Sequence, residues 1–158
     1  PGIITIPTPT ATPTITPVVT STPKTTPTPK AKEQKIIETD NFKFQLQNCE
    51  RIRTKVVCSM LITNLTDNVR DIYLYMYSDD RATDSSGNIY NFSRLQIGNR
   101  NRTSSGSLNT KLSPGLPIKA NFYLEIPEDI KKLAGLEFSC RSGNKKTLAM
   151  RNISIVSN

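Results

Sequence analysis

The sequence predicts an all-β protein, a β-sandwich of seven to nine short strands with one short helix, preceded by a disordered tail rich in threonine and proline. Three observations predict it. From Phe42 onward apolar residues recur at every second position, and turn clusters interrupt them at regular intervals. Eight of the eleven prolines stand at positions 1, 7, 9, 13, 17, 23, 27 and 29, alternating mostly with threonine. Helical cues are confined to one stretch, 127–133.

The tail is assigned to residues 1–35 and the β-domain to 36–158, with the boundary between Lys35 and Asn41. Proline fixes φ and lacks an N–H, so neither helix nor sheet propagates through the first stretch. An extended, semi-rigid spacer is expected, rising about 3.1 Å per residue and so reaching on the order of 90 Å. Such stalks suit cell-surface or secreted proteins, where the threonines are open to O-glycosylation; an interdomain linker inside the cell is the alternative. Spaced PxxP patterns occur in any tract of this composition and carry little weight. The chain opens on Pro1 rather than methionine, which predicts a processed product or a piece of a longer protein, with any signal or anchor upstream. No apolar run of about 18–20 residues is long enough to span a bilayer as a helix.

In chain order, Phe42, Phe44 and Leu46 face the core while Lys43, Gln45 and Gln47 face water. Val56, Cys58, Met60 and Ile62 form the next inward set, after a turn near Arg53-Thr54, and end at a turn cluster over 64–68. Ile72, Leu74 and Met76 follow, with Tyr73, Tyr75 and Tyr77 on the opposite face. A turn over 84–88 leads to a strand over 89–92. Residues 98–110 read as an exposed loop. Pro114-Gly115 is a turn before the strand Ile118–Ile126. Pro127 at a first helical position, followed by Glu128 and Asp129, predicts the short helix over 127–133. Leu136, Phe138 and Cys140, then Leu148 and Met150, then Ile153 and Ile155 resume the alternation. This spacing is that of a sandwich rather than of βαβ units.

The run from Cys58 to Asn64, the turn from Asp84 through Gly87 to Tyr90, and Leu112 to Gly115 leading to Ile126-Pro127 and then Leu136 and Phe138 occur in one order. Over about residues 40–156 this arrangement resembles the bacterial, and among them cyanobacterial, extracytoplasmic immunoglobulin-like domains of unknown function that follow stalks or lipoprotein anchors. Similar modules end some cyanobacterial signalling or peptidase chains. The resemblance implies an immunoglobulin-like sandwich and brings no catalytic residues with it. The chain has no tryptophan, so the core tryptophan of antibody-type domains is missing.

A turn near Arg53-Thr54 sets Cys49 opposite or diagonal to Cys58. Cys49 shares the parity of the outward Gln45 and Gln47, however, so a disulfide between the two requires a bulge near Asn48. The sequence therefore predicts a Cys49–Cys58 disulfide with Cys140 as a buried thiol. A Cys58–Cys140 bridge between sheets and three reduced cysteines are the alternatives.

The chain has no histidine, which removes the commonest general base and most transition-metal sites. Ser104, Ser105 and Ser107 lack a nucleophile-elbow setting, and the glycines are scattered turn residues rather than a phosphate loop. No enzyme activity, cofactor or metal is expected. Asp79, Asp80 and Asp84 with Asn88 offer oxygen ligands for Ca²⁺, though not in EF-hand spacing; the plainer reading is a solvated turn. Asn64, Asn91, Asn101 and Asn152 open Asn-x-Ser/Thr sequons, which arise readily by chance in this composition.

The net charge of +8 is partly a solubility device. Arg94, Arg100 and Arg102, with Arg141, Lys145 and Lys146, are candidates for a basic patch, and Tyr90 and Phe92 for stacking surfaces. Nucleic acid would use both, but no nucleic-acid-binding motif accompanies them. The row Tyr73, Tyr75 and Tyr77 is either a contact surface or a set of half-buried tyrosines packed across strands. The expected function is a non-catalytic extracytoplasmic interaction module (at the cell surface, in the periplasm or secreted), displayed on a stalk and binding a protein or an anionic envelope polymer. An accessory C-terminal domain of a larger enzyme, such as a peptidase or protein kinase, is the alternative, and a structural spacer a third.

Overall fold

The structure is a computed structural model that describes residues 2–3 and 35–157. The proposed stalk thus lies outside the described residues, apart from Gly2, Ile3 and Lys35. Eleven strands follow one another: β1 (Lys35–Thr39), β2 (Phe42–Ile52), β3 (Lys55–Asn64), β4 (Arg70–Met76), β5 (Arg81–Asp84), β6 (Ile89–Ile97), β7 (Arg100–Arg102), β8 (Gly106–Leu112), β9 (Ile118–Glu125), β10 (Lys132–Arg141) and β11 (Lys145–Ser157). The fold is all-β, as expected.

Seven strands close on themselves in the order β2-β3-β9-β6-β5-β10-β11. Closure depends on two strands that change partners along their length. β6 pairs with β5 through Ile89–Asn91 and then with β9 through Phe92–Ile97. β11 runs antiparallel to β10 through Ser154, then lies parallel to β2 at Ile155–Ser157. A barrel results in place of two open-edged layers, because these strands carry the hydrogen bonding from one sheet into the other. β1 extends the sheet beside β2, β7 pairs with β6, and β4 and β8 extend the sheet from the Arg141 end of β10.

The inward sets read from the sequence form a single core. Phe138 lies between Phe44 and Phe122, its ring tilted against theirs at centroid separations of 5.7 and 5.3 Å, and Phe42, Met60, Ile62, Leu74 and Leu136 belong to the same core. β1 and β2 join through Asp40 and Asn41, both left-handed at φ 51° and 62°, the geometry of a type I′ hairpin turn.

The strands number eleven among the described residues, not seven to nine, because short edge strands and the 98–110 stretch also pair, and two further expectations are corrected. The helix over 127–133 is a turn, closed by Ile130 N–H donating to Pro127 O, after which β10 begins at Lys132. Leu133 is fully buried in that strand, and Arg51 binds the carbonyls of Ile126, Pro127 and Ile130 at 2.7–3.0 Å, which a helix would have used itself. The loop over 98–110 contains β7 and most of β8. Its inward residue Leu108 is flanked by polar neighbours, so alternation was hard to see, yet β8 pairs with β4 along its whole length.

Candidate functional site

Parity along β4 puts Ile72, Leu74 and Met76 in the core and the three tyrosines on the outer face. Neighbouring strands decide what lies over them. Arg141 of β10 sits opposite Tyr73, and Lys145 of β11 sits opposite Arg141. The Arg141 guanidinium lies 4.6 Å from the Tyr73 ring centroid. The Lys145 ammonium lies 5.1 Å from Tyr75 and 5.3 Å from Tyr77, whose rings stack at 5.5 Å. Tyr75 is 9% exposed and packs across strands, whereas Tyr77 is 41% exposed. The row is therefore half packing and half surface. Among the described residues no carboxylate lies within ion-pair distance of Arg141 or Lys145, so both charges remain available above an aromatic floor.

The other predicted arginines do not join this face as free cations. Arg94 lies 4.2 Å over Tyr123 and donates to Tyr123 Oη and Gln96 Oε1, in a polar network with Asn121 and Ser59 on another part of the barrel. Arg100 donates to Asn109 O at 2.6 Å, and Arg102 to the carbonyls of Ser104 and Ser105. These two side chains satisfy backbone oxygens beside β8 and so blunt a sheet edge. Gly106, at φ 136°, leaves room for Arg102, which any Cβ there would strike. Phe92 is buried against Phe122, and Tyr90 donates its hydroxyl to Asp84, so neither serves as a stacking surface.

Two carboxylates of the acidic run, Asp80 and Asp84, are buried and structural, while Asp79 is exposed in the turn. Asp80 is fully buried and accepts from Tyr77 N–H at 2.8 Å and Ser139 N–H at 2.6 Å. Asp84 accepts from the backbone N–H groups of Ser86 and Asn88, from the Asn88 amide and from Tyr90. The Asn88 amide bond above all holds its carboxyl below the ordinary range, against the opposing effect of burial. Burial and the Asp84 charge push the Tyr90 hydroxyl up. The oxygens of Asp80 and Asp84 are thus engaged by protein donors, which leaves Asp79 as the exposed carboxylate of the run.

Cys49 and Cys58 stand directly opposite in the β2–β3 register and form a disulfide. The register shifts between Leu46 and Asn48, and this bulge gives Cys49 its inward parity. Cys140 is a buried free thiol, raised by burial, then by Asp40, to about 11.

One residue whose role was missed is Asn64. Read as part of a turn and a sequon, it is fully buried, and its amide donates to Asn68 O at 2.6 Å and Leu112 O at 3.0 Å. Its Oδ1 accepts from the N–H and hydroxyl of Thr66. The signal available was an Asn followed two residues later by Thr in a turn, the pattern of a side chain bonding its own loop. The same end of the barrel holds a polar cleft of 330 Å³ lined by Asp40, Asn41, Arg70, Ser142, Gly143, Asn144 and Lys146.

No family model and no curated protein matches the chain. Among solved structures it is similar to a copper-bound PCuAC domain from PmoF2, at 12% identity and a TM-score of 0.45, over 78% of this chain and 99% of that one. At that distance the likeness carries no inference about ligand or mechanism.

Proposed function

We propose that this chain is a non-catalytic, extracytoplasmic binding module, of the immunoglobulin-like kind that its sequence resembles, whose β4 face contacts an anionic partner. The observation that carries the reading is the pair Arg141 and Lys145, held over Tyr73, Tyr75 and Tyr77 without a carboxylate partner among the described residues. The exposed Tyr77 and half-buried Tyr73 rings beside unpaired cations suit carboxylate or phosphate groups on a protein surface or an envelope polymer. The Cys49–Cys58 disulfide supports an oxidising compartment. Display on a Thr/Pro-rich stalk, expected from the sequence, fits the same setting.

The test is retention of the chain on cell-envelope fractions and acidic proteins at low and high salt. Wild-type protein is expected to bind and to be released by salt, and an R141Q/K145Q variant to bind about tenfold more weakly at unchanged thermal stability. Retention equal to wild type by that folded variant would reject this face. Tyr75→Ser separates the two roles of the row, since loss of folding reports packing while loss of binding in a folded protein reports contact.

A further inference from the structure

The register across the tyrosine face sets its outward side chains in rows that cross the strands. In one row Lys145 of β11 stands opposite Arg141 of β10, Arg141 opposite Tyr73 of β4, and Tyr73 opposite Asn109 of β8. All four point away from the core, since Leu148, Cys140, Leu74 and Leu108 hold the inward parity of those strands. Neighbouring strands lie about 4.8 Å apart, so the row runs on the order of 14 Å. Arg100 holds its far end, donating to Asn109 O and Oδ1 at 2.6 and 3.2 Å. Both oxygens are neutral, so the Arg100 charge is not cancelled. The row therefore carries Lys145 and Arg141 at one end and Arg100 at the other.

The adjoining row is neutral. Thr147 stands opposite Ser139, with their hydroxyls 3.2 Å apart, and Tyr75 stands opposite Ser107. Acidic residues lie off both rows. β8 and β11 contain none. On β4, Asp71 is bonded by Lys111, and on β10, Glu137 is bonded by Arg81 and Arg151. In the turn after β4, Asp80 is buried on the N–H groups of Tyr77 and Ser139, and Asp79 is exposed beyond Tyr77.

A single carboxylate or phosphate meets one end of such a row and leaves the other unused. A protein contact is built around an apolar centre, whereas the outward side chains here, tyrosines apart, are cations, an amide and hydroxyls. A chain of repeated charges lying across the strands meets the cations at both ends. Hydroxyls on that chain would face those of Ser107 and Thr147.

We propose that this face binds a linear polyanion that also bears hydroxyls, a polyuronate or a polyol-phosphate chain, laid across β11, β10, β4 and β8 from Lys145 to Arg100. The inference rests on the reading of the tyrosine face given above and narrows its partner to a polymer.

The test is titration of full-length protein at low salt with digalacturonate, hexagalacturonate and hexa(glycerol phosphate), the last two offering the charge as carboxylate and as phosphate. At least one hexamer is expected to bind, the tighter one naming the source, and hexagalacturonate to bind about tenfold more tightly than digalacturonate. N109D keeps the acceptor for Arg100 but puts a negative charge in the row. It and R100Q, at unchanged melting temperature, should weaken the hexamers about fivefold and leave digalacturonate unchanged, whereas R141Q/K145Q should weaken all three. Equal affinity for the two galacturonates would overturn the proposal, as would a folded N109D that holds the hexamers as wild type does. Hexathymidylate bound as tightly as either hexamer would overturn it in favour of nucleic acid. If neither hexamer binds while an acidic protein is held by wild type and lost by R141Q/K145Q, the polymer is rejected and the anion-contacting face stands.

Discussion

At the scale of single residues, stability concentrates in a few buried polar side chains. Asn64 satisfies two carbonyls of separate loops and is itself satisfied by Thr66. Asn64→Ala strands those buried groups, so unfolding free energy should fall by about 2–4 kcal/mol, read from urea denaturation. Asp84 gives a pH signature. Its folded carboxyl titrates below the ordinary value of 3.8, chiefly because of the Asn88 amide, so its ionised form favours the fold. That contribution is complete above the unfolded pKa and is lost as pH falls through the lower, folded one. Urea midpoints measured from about pH 6 down to about pH 2 should therefore drop more steeply below about pH 4 in wild type than in Asp84→Asn. Parallel curves would refute the assignment. Asp80 and Asp84 were legible as members of an acidic cluster with Asp79, but not as caps, because their donors at Ser139 and Tyr90 arrive through tertiary pairing and turn geometry.

At the scale of elements, local irregularities set the register. The bulge between Leu46 and Asn48 turns Cys49 inward, and the disulfide then closes a loop only nine residues long in sequence separation. Closing a loop of that length stabilises by about 2.5 kcal/mol through the unfolded chain, so Cys49→Ala/Cys58→Ala should lose about that much in denaturant unfolding. The bulge was foreseeable because parity and pairing conflicted at Cys49. In β11 the left-handed Asn152, at φ 53°, stands just before the strand moves from β10 to β2. A β-branched residue tolerates that conformation poorly. Asn152→Val should cost about 1–2 kcal/mol, while Asn152→Gly should be close to neutral, as thermal melts would show. The sequence marked Asn152 only as the start of a sequon and not as a left-handed position, since Asn is common throughout the chain and its φ is imposed by the crossing. The 127–133 stretch shows the opposite case, where real helix-start residues lose to Arg51 and a buried Leu133.

At the scale of the whole molecule, the barrel depends on the last few residues of the described chain. Ile155–Ser157 supply the only direct pairing between β11 and β2 among the described residues, and Ile155 is buried. A chain ending at Ser154 should melt about 10 °C or more below the full-length protein, exceeding the loss from Ile155→Ala, because it forfeits closure as well as one side chain. An equal melting temperature would show that the ring need not close. The sequence by itself determined that the chain after Lys35 is dominated by β-strands, which side chains face inward in β2, β3 and β4 and in most of β9 to β11, and where the turn before Cys58 falls. Those follow from the two-residue period of a strand, which is written locally in covalent geometry. Only the tertiary structure decided that the sheets join into a barrel, that Arg141 and Lys145 cover the tyrosine row, and that Arg100 and Arg102 serve backbone oxygens instead. Each of these rests on which strand lies beside which, and pairing between segments far apart in sequence leaves no periodic mark in any one of them.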